Sequence, residues 1–219
     1  FAPQTWTSDN SDASERVKIQ YGTSYVYPLV SMGSHVSAVP NHQMLRRTPL
    51  DPRANVAYIG TFGYELDLNL LDGEEFEQVK KQIAFMKTYR ELIQIQGDFY
   101  RLESPFEGNE AAWMVVSPDK SRAVAAFYQK LNKVNGSWLR LKLAGLDADS
   151  RYRVCCDMSA ARGADALDEI YGRNREAESK ELEAYGDELM YAGLVISRED
   201  LNRKGGDFAS LLYTIEKIR

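Results

Sequence analysis

The sequence predicts an α/β half followed by an all-β half that reads as an antiparallel sandwich, and three observations predict it. Apolar residues recur at helical spacing in the segments up to Gly97 and at a spacing of two beyond it. Helix and strand signals alternate over residues 1–97, with crossovers long enough for parallel strands. Apolar residues fill 44% of 219 positions, enough for one large domain or two ordinary ones with their own cores. The expected domains are 1–97 and 98–219, with the boundary between Gly97 and Glu103.

Taken in order, Asp12 with Glu15 three residues later fits a capping box, and Ala13, Val17 and Tyr21 follow on one face, which predicts a helix over 12–21. Residues 35–39 form a short β-prone run closed by Pro40 and Asn41. A short helix over 53–59 is stopped by Gly60, and 61–68 is a second strand. Asp72 caps the clearest helix, whose first turns carry Glu74, Glu75 and Glu77. Its apolar stripe is Phe76, Val79, Ile83, Met86 and Ile93, and it ends near Gly97. Beyond Gly97, alternation is clear at 139–143 and 151–155, with further β-rich runs at 111–117, 122–131, 189–196 and 208–218. Residues 160–183 are rich in charge and poor in β-branched side chains, which predicts a mobile excursion or a short surface helix rather than a strand. Two short strands with three helices leave parallel-sheet edges that natural folds cover. Either the missing strands come from elsewhere in the protein or the α/β reading fails.

Composition excludes several functions. The net charge is −5, from 27 basic and 32 acidic residues, so no broad basic field invites nucleic acid or an anionic membrane. Cys155 and Cys156 are adjacent and offer neither a disulfide framework nor a C-x-x-C site. Nothing asks for an oxidising compartment, and the expected location is cytoplasmic. No apolar run approaches the roughly 18 residues of a membrane span. The chain opens on Phe1 in mid-phrase and is expected to be a fragment of a longer protein.

The chemistry concentrates in residues 6–16. Trp6, Thr7, Ser8, Asp9, Ser11, Asp12, Ser14, Glu15 and Arg16 place an indole, hydroxyls, three carboxylates and a guanidinium side by side. Glycoside cleavage needs an acid to protonate the departing oxygen, a second carboxylate across the anomeric carbon, and aromatic faces against the sugar ring. Trp6 as a substrate contact and Asp9 as the acid supply two of those three. An Asp-rich stretch before a helix is ordinarily a cap with solvated charge, and Asp12 fits that description as the N-cap. Asp9 lies farther upstream, in the loop leading to the helix, and is the freer acid.

Several blocks then resemble one family. They are Pro3-Gln4-Thr5-Trp6-Thr7-Ser8-Asp9-Asn10 with Asp12-Ala13, Glu15-Arg16 and 19–24; the run 32–43; 47–50; 62–67; and Tyr185-Gly186-Asp187-Glu188-Leu189-Met190. Together they are similar to the C-terminal part of the α-galactosidases of glycoside hydrolase family 36. Ser14 and Ser11 depart from the family's usual residues without touching the acid. The resemblance implies that residues 1–97 are the last part of a catalytic (β/α)8 TIM barrel and that 98–219 are a C-terminal antiparallel β-sandwich. It carries the proton-donor and general-base role onto Asp9, which follows Thr7-Ser8. It implies a retaining enzyme that hydrolyses α-linked galactose from melibiose, raffinose and stachyose, with no metal and no cofactor, often as a tetramer. The family's Lys-Trp-Asp nucleophile motif and its Cys-x-Ser-Gly-Gly-Gly-Arg segment occur nowhere in these residues. The partners expected are therefore α-galactoside oligosaccharides, the upstream part of the same enzyme and further copies of it. The alternative is a non-catalytic carbohydrate-binding or assembly module.

The remaining polar candidates have blander readings. His35 and His42 lack companions at ligand spacing and are expected to hydrogen-bond within the catalytic face. Trp113 and Trp138 are expected in the sandwich core. Glu65 and Asp67 alternate along a strand and point to one side, lining the barrel or pairing with basic groups. Arg16 is expected as a surface charge paired with Asp12 or Glu15.

Overall fold

A computed structural model describes residues 3–158 and 179–218. The chain divides into two compact units, Phe1–Gly97 and Asp98–Arg219.

The first unit runs α1 (Ala13–Thr23), β1 (Gly33–Ser37), α2 (Leu50–Ala57), β2 (Thr61–Glu65) and α3 (Gly73–Glu91), the last continuing as a π-turn over Leu92–Gln96. β1 and β2 are parallel, in register from Gly33 opposite Thr61 to Ser37 opposite Glu65. Thr5 adds a third parallel rung beside Met32, its N–H donating to Ser31 at 2.6 Å and its carbonyl accepting from Gly33 at 2.8 Å. Each strand is thus followed by a helix, the order that parallel pairing requires.

Local chemistry explains the helix ends. Asp12 caps α1 by accepting from the Glu15 N–H at 3.1 Å. Asp72 and Glu75 close a full capping box at α3, at 3.0 and 3.3 Å. α2 begins before the predicted 53, because Pro52 sits in its first turn, where no N–H is needed. β2 stops at Glu65 rather than 68, since the Asp67 side chain accepts from Asn69 N–H at 2.9 Å and starts a 3-10 turn over Leu68–Leu70. On α3 the buried line is Val79, Gln82 and Met86, continued by Ile93, while Phe76 and Ile83 lie on its exposed flank. The predicted stripe was too wide.

In the second unit a six-stranded antiparallel sheet has the order β3-β4-β5-β10-β7-β8, and β6 pairs with β9 in a small second sheet. The strands are β3 (Asp98–Glu103), β4 (Glu110–Val116), β5 (Arg122–Gln129), β6 (Leu139–Leu141), β7 (Arg151–Asp157), β8 (Ser179–Tyr185), β9 (Leu194–Ile196) and β10 (Ser210–Ile218). One apolar core joins the two sheets, with Met114, Phe127, Tyr152 and Leu211 from the large one and Leu141, Leu194 and Ile196 from the small one. That is a sandwich with unequal layers. Leu189 of α4 (Gly186–Tyr191) and Leu201 of α5 (Arg198–Arg203) complete the thinner layer.

Three expectations fail here. The run 189–196 is not one strand: Glu188 accepts from the Tyr185 N–H at 2.9 Å and starts α4. Gly193, at φ +76°, then turns the chain into β9, and a Cβ there would lie 2.8 Å from the Leu141 carbonyl oxygen. Residues 179–183 belong to β8, the last strand of the sheet among the described residues, which pairs antiparallel with β7 and adds ion pairs across it. Arg153 pairs with Glu181 at 2.9 Å and with Glu183 at 3.3 Å, and Arg151 with Glu183 at 3.1 Å. Cross-strand ion pairs suit a solvated edge, which is why this strand lacks the usual β-branched residues. The rest of the 160–183 expectation lies outside the described residues. Trp113 is fully buried, but on the face of β4 opposite the core residues Ala112, Met114 and Val116, packed against Tyr128, and Trp138 is 74% exposed just before β6; neither tryptophan belongs to the core between the sheets. Among the described residues no helix is long and apolar enough to cross a membrane.

Candidate active site

The parallel pairing of Thr5, β1 and β2 makes all three segments end on the same side, and ligands in α/β folds bind at the carboxyl ends of strands. Residues 6–9, Ser37 and Glu65 all leave their strands there.

The loop from Trp6 to Asp12 is built by short polar contacts. Asn10 N–H donates to Ser8 Oγ at 3.1 Å, and Asp12 N–H to Asn10 Oδ1 at 3.1 Å. Thr7 has φ +66°, a left-handed conformation that a β-branched residue resists. Asp9 is exposed, and among the described residues its carboxylate has no hydrogen-bond or ion-pair partner. Asp12 is 2% exposed and fully engaged, capping α1 and pairing with Arg46. The two nearby aspartates therefore differ sharply: Asp12 is bound into the fold and Asp9 has no partner among the described residues.

Trp6, 44% exposed, lies against His35 with ring centroids 4.8 Å apart and a 34° tilt. His35 in turn crosses Gly63, where an added Cβ would sit 2.9 Å from His35 Cδ2. Gly33 is less confined, its would-be Cβ 3.3 Å from the Thr5 carbonyl and 3.4 Å from the Trp6 ring. The result is an indole platform resting on an imidazole above two glycines. Desolvation holds His35 below its ordinary pKa; the Glu65 charge opposes that shift and Arg16 adds to it. The His35 imidazole makes no hydrogen bond to the described residues and stands tilted against the Trp6 ring; His42 is exposed in the loop after β1. Among the described residues no group of three or more His, Cys, Asp or Glu side chains is placed to hold a metal.

Glu65 and Asp67 do not act as a pair. Glu65 accepts from Ser37 Oγ at 3.4 Å, whereas Asp67 has left the strand to cap its turn. Arg16 is not a surface charge. It is 5% exposed and lies on the same α1 face as Ala13, Val17, Gln20 and Tyr21. Its guanidinium donates to Thr7 Oγ1 at 2.7 Å, the Ser8 carbonyl at 3.3 Å, the Trp6 carbonyl at 3.4 Å, Gln20 Oε1 at 3.3 Å, and the Gly33 carbonyl. Gln20 then donates to the Val56 and Ile59 carbonyls at 2.9 and 2.8 Å and accepts from Ser34 Oγ at 2.8 Å. Sequence reasoning missed this network, although the spacing of Ala13, Val17 and Tyr21 already placed residues 16 and 20 between buried neighbours.

With the geometry established, similarity to known proteins decides the family. Residues 1–96 match Melibiase, and residues 110–215 match the Glycosyl hydrolase family 36 C-terminal domain. The chain belongs to glycoside hydrolase family 36. Alpha-galactosidase AgaA of Geobacillus stearothermophilus is 45% identical over 219 residues, which are 100% of this chain and 26% of that protein. Alpha-galactosidase Mel36A of Lactobacillus acidophilus is 40% identical over 218 residues, with the same coverage of 100% and 26%. The crystal structure of the family 36 enzyme AgaA superimposes with a TM-score of 0.81 at 44% identity, covering 99% of this chain and 26% of that one. Variants of AgaA have been crystallised with raffinose and with stachyose. This family 36 chain thus spans about a quarter of the length of these relatives.

Proposed function

We propose that this chain is the end of the catalytic barrel and the C-terminal sandwich of a retaining α-galactosidase, with Asp9 as its acid/base. The observation that carries the reading is the contrast between Asp9, exposed and unpartnered among the described residues at a strand's carboxyl end, and Asp12, buried and engaged. Thr5, β1 and β2 are then the last three strands of a (β/α)8 barrel. The remaining strands, and the nucleophilic carboxylate, lie outside these 219 residues, consistent with the absence of a Lys-Trp-Asp motif and with the 26% coverage of relatives.

In the first step the nucleophile's oxygen bonds to the anomeric carbon as the glycosidic C–O bond breaks, and Asp9 delivers its proton to the departing oxygen. In the second, the Asp9 carboxylate takes a proton from water, whose oxygen attacks the anomeric carbon and displaces the nucleophile. Two inversions release galactose with its α configuration retained. Such pairs of carboxyls stand about 5–5.5 Å apart. Trp6 lays its exposed face against the sugar ring. The substrates are small α-galactosides: melibiose, raffinose and stachyose. This two-carboxylate chemistry needs no metal or cofactor. Homo-oligomeric assembly rests on the family resemblance, and a cytoplasmic location on the cysteine usage. Loss of melibiose hydrolysis by Asp9→Ala in the full-length enzyme, with folding intact, tests the reading; undiminished turnover contradicts it.

A further inference from the structure

We propose that Arg16 is a positioning residue for Asp9, a buried guanidinium that replaces the sheet hydrogen bonding lost where the chain turns out of its strand. The inference rests on the acid/base role of Asp9 and concerns how that acid is aimed.

Thr5 pairs with β1 in parallel, donating to Ser31 and accepting from Gly33. Continued for two residues, that ladder would bring the Thr7 N–H to the Gly33 carbonyl. It does not continue. Thr7 adopts φ +66°, and its N–H turns to Thr5 Oγ1 at 3.4 Å. The freed Gly33 carbonyl accepts instead from Arg16 Nη2. Nη1 of the same guanidinium meets Trp6, Thr7 and Ser8, the three residues immediately before Asp9. One rigid, planar group thus spans the last rung of β1 and the loop that presents the acid.

A buried polar network with its acceptors satisfied holds a strained loop in one conformation. Gln20 fixes the guanidinium from the other side and is itself anchored to the 56 and 59 carbonyls. Lysine at this position keeps the charge but offers a single nitrogen, which cannot reach the Gly33 carbonyl and the loop together. Arg16 touches no substrate in this arrangement. Its effect falls on proton delivery, the step that depends on where the Asp9 carboxyl stands.

The test uses the full-length enzyme with Arg16→Lys, Arg16→Met and Thr7→Ala, and Asp9→Ala as reference. kcat/KM is measured for melibiose and for aryl α-galactosides of graded leaving-group acidity. Arg16→Lys is expected to lower kcat/KM for melibiose about 10- to 100-fold, as for a misplaced catalytic group, and that for a dinitrophenyl galactoside by no more than about threefold. A partly folded enzyme loses the same fraction of sites for every substrate, so an equal loss across the series, or no loss, overturns the proposal. If neither Arg16 variant folds, Thr7→Ala, which deletes one acceptor, must show the same leaving-group dependence, and a flat profile overturns the proposal. Leaving-group dependence in Asp9→Ala but not in Arg16→Lys rejects Arg16 alone. Its absence in Asp9→Ala rejects the acid assignment and, with it, the role of Arg16.

Discussion

Arg46 pairs with the carboxylate of Asp12 across 34 residues of chain, and that carboxylate also caps α1. The loop after β1 is thereby tied to the helix that follows the candidate acid, and a second tie runs from Asn41 Nδ2 to Ser11 Oγ at 3.3 Å. Asp12→Ala removes a cap and leaves Arg46 without this partner. It is expected to cost about 2.5–4 kcal/mol, from roughly 1 for the cap and about 1.5–3 for a charged hydrogen bond. Asp12→Asn keeps the cap acceptor and should cost less. Asp9→Ala should stay within about 0.5 kcal/mol of the parent, as exposed positions do. Chemical denaturation of the three variants checks the order; an Asp9 variant as unstable as Asp12→Ala contradicts it.

Gly63 is expected to tolerate no side chain because of His35. Gly63→Ala pushes the imidazole and, through it, Trp6, so KM for melibiose should rise about tenfold, the equivalent of about 1.4 kcal/mol of lost stacking. Trp6→Ala should do the same directly. In a His35→Ala background the added methyl has nothing to strike, and its effect should shrink. Steady-state kinetics of this cycle decides it; Gly63→Ala with unchanged KM removes Trp6 from the sugar site.

His35 also sets a pH dependence. Its folded pKa lies below the unfolded value near 6.5, chiefly from burial, so at pH between the two the unfolded chain binds the proton first. Stability from this group is complete above about pH 6.5 and is lost as pH falls through that window. Melting temperatures should therefore fall more between about pH 7.5 and about pH 5.5 in the parent than in His35→Gln. Equal falls would mean that His35 is not desolvated as found.

The 219-residue chain alone is expected to hydrolyse no p-nitrophenyl α-galactoside, since on the proposed assignment it carries only one carboxylate of the required pair. Turnover by the purified chain, abolished by Asp9→Ala, would show that the second carboxylate lies within these residues.

What was legible in the sequence was local. Asp12 and Asp72 announce their helices because a cap is a contact over three residues, and alternation at 151–155 announces β7 because pleating has a period of two. Asp9 stood out only beside Asp12, as the acid with no local task. What failed depended on distant groups. Arg16 looks solvated until Gly33 and the 6–8 backbone are placed against it. β8 looks unlike a strand until Arg153 of β7 stands opposite Glu183, with Arg151 reaching Glu183 and Arg153 reaching Glu181 on the diagonals. Trp138 carries the size of a core residue, but the chain turns beside it and leaves it outside.

The assignment of Asp9 is tested most directly by azide rescue of Asp9→Ala in the full-length enzyme. Cleavage of melibiose, whose sugar leaving group needs a proton, should fall by about 10²–10⁴, the range of lost general acid catalysis. A dinitrophenyl galactoside should still galactosylate the enzyme, and added azide, which needs no base, should restore its turnover and yield the α-galactosyl azide. Equal losses on both substrates, with no azide product or with the β-azide, would place the acid/base elsewhere.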